Sequence, residues 1–151
     1  MLDVSRSETD GSFYLKAGLL GREFTDQFTT QFIVDPVRRG LKPLSPVHLN
    51  AARDFETGDI TLSWIRRTRI NGDVWEAVDV PLAEESEQYA VSIKNGGQSV
   101  RTFQVGLNSA VYSQQQQIED FAGAASEFEF EVAQISASEG VGIPRSRLVS
   151  L

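Results

Sequence analysis

Three glutamates stand close together at Glu84, Glu85 and Glu87, and three arginines at Arg66, Arg67 and Arg69, in a chain of 151 residues with a formal net charge of −7. Paired carboxylates can hydrolyse glycosides, but only when held at a fixed separation across a cleft. Closeness in sequence sets no such geometry, so these glutamates are not read as an acid and a base. The arginines have a blander use. Asp73, Glu76, Asp79, Glu84, Glu85 and Glu87 follow them and can pair with them across the surface, each exposed pair contributing about 0.2–1 kcal/mol. The sharper alternative is a patch in which Arg66, Arg67, Arg69 and Trp75 grip an anionic or sugar ligand, through guanidinium forks and a stacking indole. These four are the candidate ligand contacts. No residue is assigned to catalysis, to a cofactor or to a metal.

Composition narrows the chemistry further. There is no cysteine, which removes disulfides, thiolate metal sites and thiol nucleophiles. His48 is the only histidine; nothing near it completes a metal or catalytic set, so it is read as an exposed or edge residue. The net negative charge argues against nucleic acid as a partner. No run of apolar residues is long enough to span a bilayer, so membrane insertion is not expected. Met1-Leu2-Asp3-Val4-Ser5-Arg6 has neither the basic start nor the apolar core of a secretory signal.

The elements that must position these residues read as strands. In Ile60-Thr61-Leu62-Ser63-Trp64 the apolar residues alternate with polar ones, the period of a half-buried strand. This strand is expected to run to about Arg69. Trp64 suits the gap between two packed sheets. Val47, Leu49 and Ala51 predict a strand before it. Tyr89, Val91 and Ile93 predict one after it, and Asn95-Gly96-Gly97 is a strong hairpin signal. The return strand faces Phe103 and Val105 inward. A short strand follows with Val111 and Tyr112, then one or two helical turns over residues 114–121. Glu127-Phe128-Glu129-Phe130-Glu131-Val132 alternates cleanly, with its three glutamates on the solvated face. Ala133, Ile135 and Ala137 take the opposite phase, which predicts a bulge near Gln134. The last strand, residues 144–151, is expected to face Leu148 inward. Residues 1–43 read as a partly extended appendage and linker. Phe24, Phe28 and Phe32 fall four apart as on a helix, but Thr29, Thr30, Ile33 and Val34 favour extended backbone. Arg38-Arg39-Gly40-Leu41-Lys42-Pro43 is a basic, turn-rich linker. Residues 44–151 are the main domain, an all-β two-sheet sandwich of about seven strands.

That domain resembles a fibronectin type III or Ig-like module. The apolar-x-apolar-x-Trp pattern of the family's second strand stands here as Ile60 to Trp64, and the third-strand tyrosine as Tyr89. The sixth-strand pattern stands as Phe128-Glu129-Phe130-Glu131-Val132, followed by Gly140-Val141-Gly142-Ile143-Pro144. The family's corner tyrosine is Phe128 here, which implies a corner without its hydroxyl bond. A narrower resemblance is to the C-terminal region of phage tail-tip hub proteins, including the host-specificity protein of gene transfer agents. It runs from the linker into the domain (Leu41-Lys42-Pro43-Leu44-Ser45-Pro46-Val47-His48-Leu49) and through Ser63-Trp64-Ile65-Arg66-Arg67-Thr68-Arg69-Ile70-Asn71-Gly72-Asp73-Val74-Trp75-Glu76. It continues over residues 80–89 and is looser but collinear thereafter.

The resemblance implies a non-catalytic structural and adhesion module at the distal tip of a phage or gene-transfer-agent tail, serving tail-tip assembly or host-surface recognition. Its implied partners are other tail-tip proteins and a host cell-surface glycan or protein, within a larger oligomer of the full-length protein. Its implied location is the tail of a phage-like particle made in the bacterial cytoplasm. The chain is expected to be a C-terminal fragment, with Met1 added to it. The other reading is an accessory sugar-binding or spacer module of a secreted carbohydrate-active enzyme.

Overall fold

The computed structural model describes residues 11–23, 25, 27–35, 39–72 and 80–151. The chain divides into two units between Leu41 and Lys42. In the first, β1 (Phe13–Ala17) and β2 (Thr30–Val34) form an antiparallel ribbon with Phe13 opposite Val34 and Ala17 opposite Thr30. The branched residues Thr30, Ile33 and Val34 are stiff at χ1 and fit a pleated backbone. Phe32 therefore lies on a strand and not on a helical stripe with Phe28. Phe24 and the linker's Arg38 lie outside the described residues. A short 3₁₀ turn spans Arg39–Leu41.

The second unit is a sandwich of two antiparallel sheets. Its strands are β3 (Val47–Arg53), β4 (Ile60–Ile65), β5 (Tyr89–Asn95), β6 (Gln98–Val105), β7 (Ser109–Tyr112), β8 (Glu127–Ser136), β9 (Gly140–Val141) and β10 (Arg145–Ser150), with one helix, α1 (Gln114–Phe121), between β7 and β8. One sheet has the order β3-β4-β7. The other has the order β10-β8-β5-β6, with β9 paired to β8. Lettered in chain order, these are A-B-E and G-F-C-C′, the strand order of a fibronectin type III sandwich. Ile60, Leu62 and Trp64 from the first sheet and Tyr89, Val91, Ile93, Phe128, Phe130 and Val132 from the second are buried in one core. Each strand supplies alternate residues because successive side chains point to opposite faces. At the β5–β6 hairpin, Gly96 and Gly97 both take positive φ, as a tight two-residue turn requires. His48 is exposed and sits at a register irregularity with a φ of 52°.

Three local expectations are corrected by register, and the facing of β7, which the sequence left open, is set by it too. Strand β4 ends at Ile65 and not near Arg69. Its last partner on β3 is Val47, and Pro46 before it has no N–H to extend the ladder. In β7, Ala110 and Tyr112 are buried while Val111 is exposed. Ala110 pairs with Leu62 and Tyr112 with Ile60, so Val111 falls opposite Thr61 on the outer face. In β10 the buried residue is Val149 and not Leu148, because Val149 stands opposite Phe128 and Leu148 opposite Glu129. The bulge expected near Gln134 is absent. The β5–β8 register runs unbroken from Gln134 opposite Tyr89 to Glu129 opposite Lys94, so β8 keeps its phase and buries Gln134 and Ser136. Ser136 Oγ accepts the Glu139 N–H in the turn that follows.

The helix begins as its sequence dictates. Ser113 Oγ accepts the Gln116 N–H, and Gln116 Oε1 accepts the Ser113 N–H, a reciprocal capping box. Gln117, fully buried, donates from Nε2 to the carbonyls of Gly58 and Tyr112. It thereby ties the β3–β4 turn to the end of β7.

Gly142 sits at a close backbone approach in the sandwich. Its N–H donates to the Gln134 carbonyl at 2.8 Å, and the next residue, Ile143, donates to the Pro43 carbonyl at 3.0 Å. A Cβ at Gly142 would lie 2.8 Å from both carbonyl oxygens and from Pro43 Cβ. Two of those three atoms are backbone and cannot swing aside. Gly142→Ala is expected to destabilise the domain by about 1–3 kcal/mol, the usual cost of overpacking. Urea unfolding followed by tryptophan fluorescence checks this, with a midpoint unchanged from wild type as the contrary result.

Candidate functional site

The arginines proposed as ligand contacts lie just beyond β4, in the loop that leads to β5. Arg66 and Arg69 are half-buried, and Arg67 lies exposed along the surface. Arg66 donates from Nη2 to the Val80 carbonyl at 2.6 Å and faces Glu87 across 3.5 Å. Arg67 grips the segment before β3, donating to the Ser45 carbonyl at 2.8 Å and to Ser45 Oγ at 2.9 Å. Arg69 pairs with Glu84 at 2.9 Å, and the Glu84 side chain is only 5% exposed. Between them Thr68 Oγ1 accepts the Ile70 N–H and donates to the Ile70 carbonyl, closing a small turn. Asn71 then takes a positive φ of 47°. The surface pairing of arginines with following acids is therefore present for Arg66 and Arg69, while Arg67 uses Ser45. Trp75 lies outside the described residues. Glu84 and Glu87 each hold an arginine; Glu85 is exposed.

Glu87 connects this loop to the core. Its Oε1 accepts the Tyr89 hydroxyl at 2.8 Å. Burial, reinforced by that hydrogen bond and the Glu87 charge, pushes the Tyr89 phenol well above its ordinary value. Beside this group lies a half-open cleft of about 220 Å³ lined by Ile65, Arg66, Glu87, Leu107 and Asn108. Leu107 and Asn108 come from the β6–β7 turn, where the sequence reading assigns Leu107 no role and takes Asn108 only as the start of the short strand that in fact begins at Ser109. No periodicity marks them, since the turn meets the Arg66 loop only through tertiary pairing.

A second charged cluster was likewise not singled out from sequence. Arg101 on β6 forks onto Asp120 of α1, Nε to Oδ2 at 2.7 Å and Nη2 to Oδ1 at 3.0 Å, and Nη2 also reaches Glu119 Oε2 at 2.9 Å. Tyr112 donates its hydroxyl to Asp120 Oδ2 at 2.7 Å. Burial alone would raise the Asp120 carboxyl. The hydrogen bonds from Arg101 and Tyr112, with the Arg101 charge, outweigh it and hold the carboxyl below its ordinary value. Burial and then the hydrogen bond to Asp120 push the Tyr112 phenol up. Acid–base catalysis asks for groups brought toward the working pH. Here both are driven away from it, and the contacts clamp β6 and β7 to α1. Among the described residues, no group of three or more His, Asp or Glu side chains is arranged to hold a metal ion.

No family model matches the sequence, and no curated protein matches it. Among solved structures, the extracellular region of rat CD45, domains d3–d4, aligns over 100% of this chain and 69% of its own, with a TM-score of 0.52 and 16% sequence identity. At that identity the likeness speaks to the fold alone. Together with the strand order, it makes the chain an all-β protein of the fibronectin type III or Ig-like sandwich class.

The clamp has a pH signature. A carboxyl held low in the folded state adds stability above the ordinary carboxylate range and loses it as pH falls through that range. Asp120→Asn is therefore expected to destabilise the domain by about 1–3 kcal/mol near neutral pH. The gap from wild type should narrow as the medium is acidified below the carboxylate range. Chemical denaturation across a pH series tests this, and a gap constant with pH would contradict it.

Proposed function

We propose that this chain is a non-catalytic structural and adhesion module at the distal tip of a phage or gene-transfer-agent tail. It serves tail-tip assembly or recognition of the host surface. The observation that carries this reading is where the sequence resemblance falls. The stretch similar to tail-tip hub proteins, residues 41–89, covers the approach to β3, all of β4 and the loop that carries the arginines. It thus spans both a framework strand and a display loop. A sandwich supports such a role because its rigid sheets hold loops of free sequence at their ends. The bonded arginines favour the same role, since their contacts to Ser45, Val80, Glu84 and Glu87 hold residues 66–69 in place. Neighbouring tail subunits, and a glycan or protein of the cell envelope, are the partners this reading names.

Location tests it most directly. Antibody raised against the chain and coupled to gold should label the far end of the tail on purified particles from a strain encoding the chain. Gold on the head, or particles that form without label while the protein is present elsewhere in the cell, would overturn the proposal.

A further inference from the structure

The cleft between the β4–β5 loop and the β6–β7 turn has the make-up of a small ligand site. Two aliphatic side chains, Ile65 and Leu107, stand beside it, 55% and 68% exposed. Its polar groups are the Arg66–Glu87 pair and the exposed side chain of Asn108. The β6–β7 wall is fixed by backbone and packs close to the other. The Asn108 carbonyl accepts the Trp64 N–H at 3.1 Å, and a Cβ placed on Gly106 would lie 3.6 Å from the Glu87 carbonyl. Glu87 is itself held by the Tyr89 hydroxyl and by Arg66. A ligand entering here meets groups already in position, which lowers the ordering cost of binding.

The chemistry selects a ligand class. A carboxylate offers acceptors, and a side-chain amide offers both donors and acceptors, a set suited to vicinal hydroxyls. The two aliphatic residues suit the C–H face of a ring. The cleft holds one positive and one negative group that face each other, in a chain of net charge −7. Nothing there would draw an anion in. At about 220 Å³ it falls below the roughly 300–1,000 Å³ of drug-sized sites and so takes one ring. We propose that this cleft binds a single neutral sugar unit of a surface polysaccharide, with Asn108 and Glu87 on its hydroxyls and Ile65 and Leu107 against its ring. This inference rests on the recognition half of the function proposed above and names the ligand class.

The test is a titration of the ¹⁵N-labelled chain, followed by amide shifts. The probes are the methyl glycosides of glucose, galactose, mannose and N-acetylglucosamine, with glucuronate and inorganic sulfate as anionic counterparts. At least one neutral glycoside should shift the amides of Ile65, Leu107 and Asn108 saturably, and the anions should not. Asn108→Ala and Leu107→Ala, both at exposed positions, should each weaken binding about three- to tenfold with the remaining spectrum unchanged. Absence of a saturable shift with every neutral glycoside, shifts that map elsewhere, full affinity in both variants, or stronger response to the anions would each overturn the proposal. The outcome is separable from the location test. Tail-tip labelling with no titration removes the cleft alone, and titration without tail-tip labelling leaves a sugar site in a protein of another setting.

Discussion

Trp64 and Tyr89 meet edge to face between the two sheets, with ring centroids 5.2 Å apart and planes at 71°. One ring stands on β4 and the other on β5, so this contact joins the two sheets within the buried core. The same tyrosine carries the core outward. Its hydroxyl reaches Glu87, Glu87 faces Arg66, and Arg66 holds the Val80 carbonyl. Four groups thus connect a ring in the centre of the sandwich to a loop at its end. The position of that loop depends on the core register. A one-residue slip in β5 would turn Tyr89 outward and take away the partner of Glu87.

The opposite end is closed by different chemistry. A fibronectin type III or Ig-like corner uses a tyrosine hydroxyl bonded to backbone, and Phe128 cannot supply it. Phe128 instead packs against Tyr112 and Phe121, with ring centroids 5.9 Å and 6.4 Å away. The polar closure has moved to Asp120, which takes a phenol from β7 and a guanidinium from β6. The Asp120 side chain is 8% exposed, and its hydrogen bonds to Arg101 and Tyr112 satisfy the carboxylate within the clamp. A half-satisfied carboxylate at this depth would weaken the corner. Buried Gln117, three residues earlier, anchors the same helix.

The sheet faces were legible in the sequence wherever one strand carried its own alternation. Ile60, Leu62 and Trp64 needed no neighbour to be placed, nor did Phe128, Phe130 and Val132. The errors fell where two adjacent residues were both apolar, or where a polar residue took an inward slot. Leu148 and Val149 are indistinguishable by hydrophobicity; pairing with Phe128 chose Val149. Gln134 looked like a break in the pattern, yet the pairing with β5 continued through it. Register is a property of two strands, so a single strand's sequence leaves it open. The cleft was illegible for the same reason. Its walls lie some forty residues apart, and only Arg66 and Glu87 among its lining residues had been singled out.

The arginines show how burial redirects a charge. In an acidic chain, Arg66, Arg67 and Arg69 read first as partners for the acids that follow, and only alternatively as a grip on an anionic or sugar ligand. In the structure, the side chains of Arg66 and Arg69 are 14% and 21% exposed, and each faces a glutamate. A guanidinium paired this closely projects little net field into solvent. Its effect is instead geometric, because removing one member of a largely buried pair leaves the other uncompensated. The loop is therefore held by its charges rather than advertised by them. A ligand in the cleft proposed above would be selected by shape and by neutral polar groups such as Asn108, through fixed hydrogen-bond geometry instead of long-range attraction.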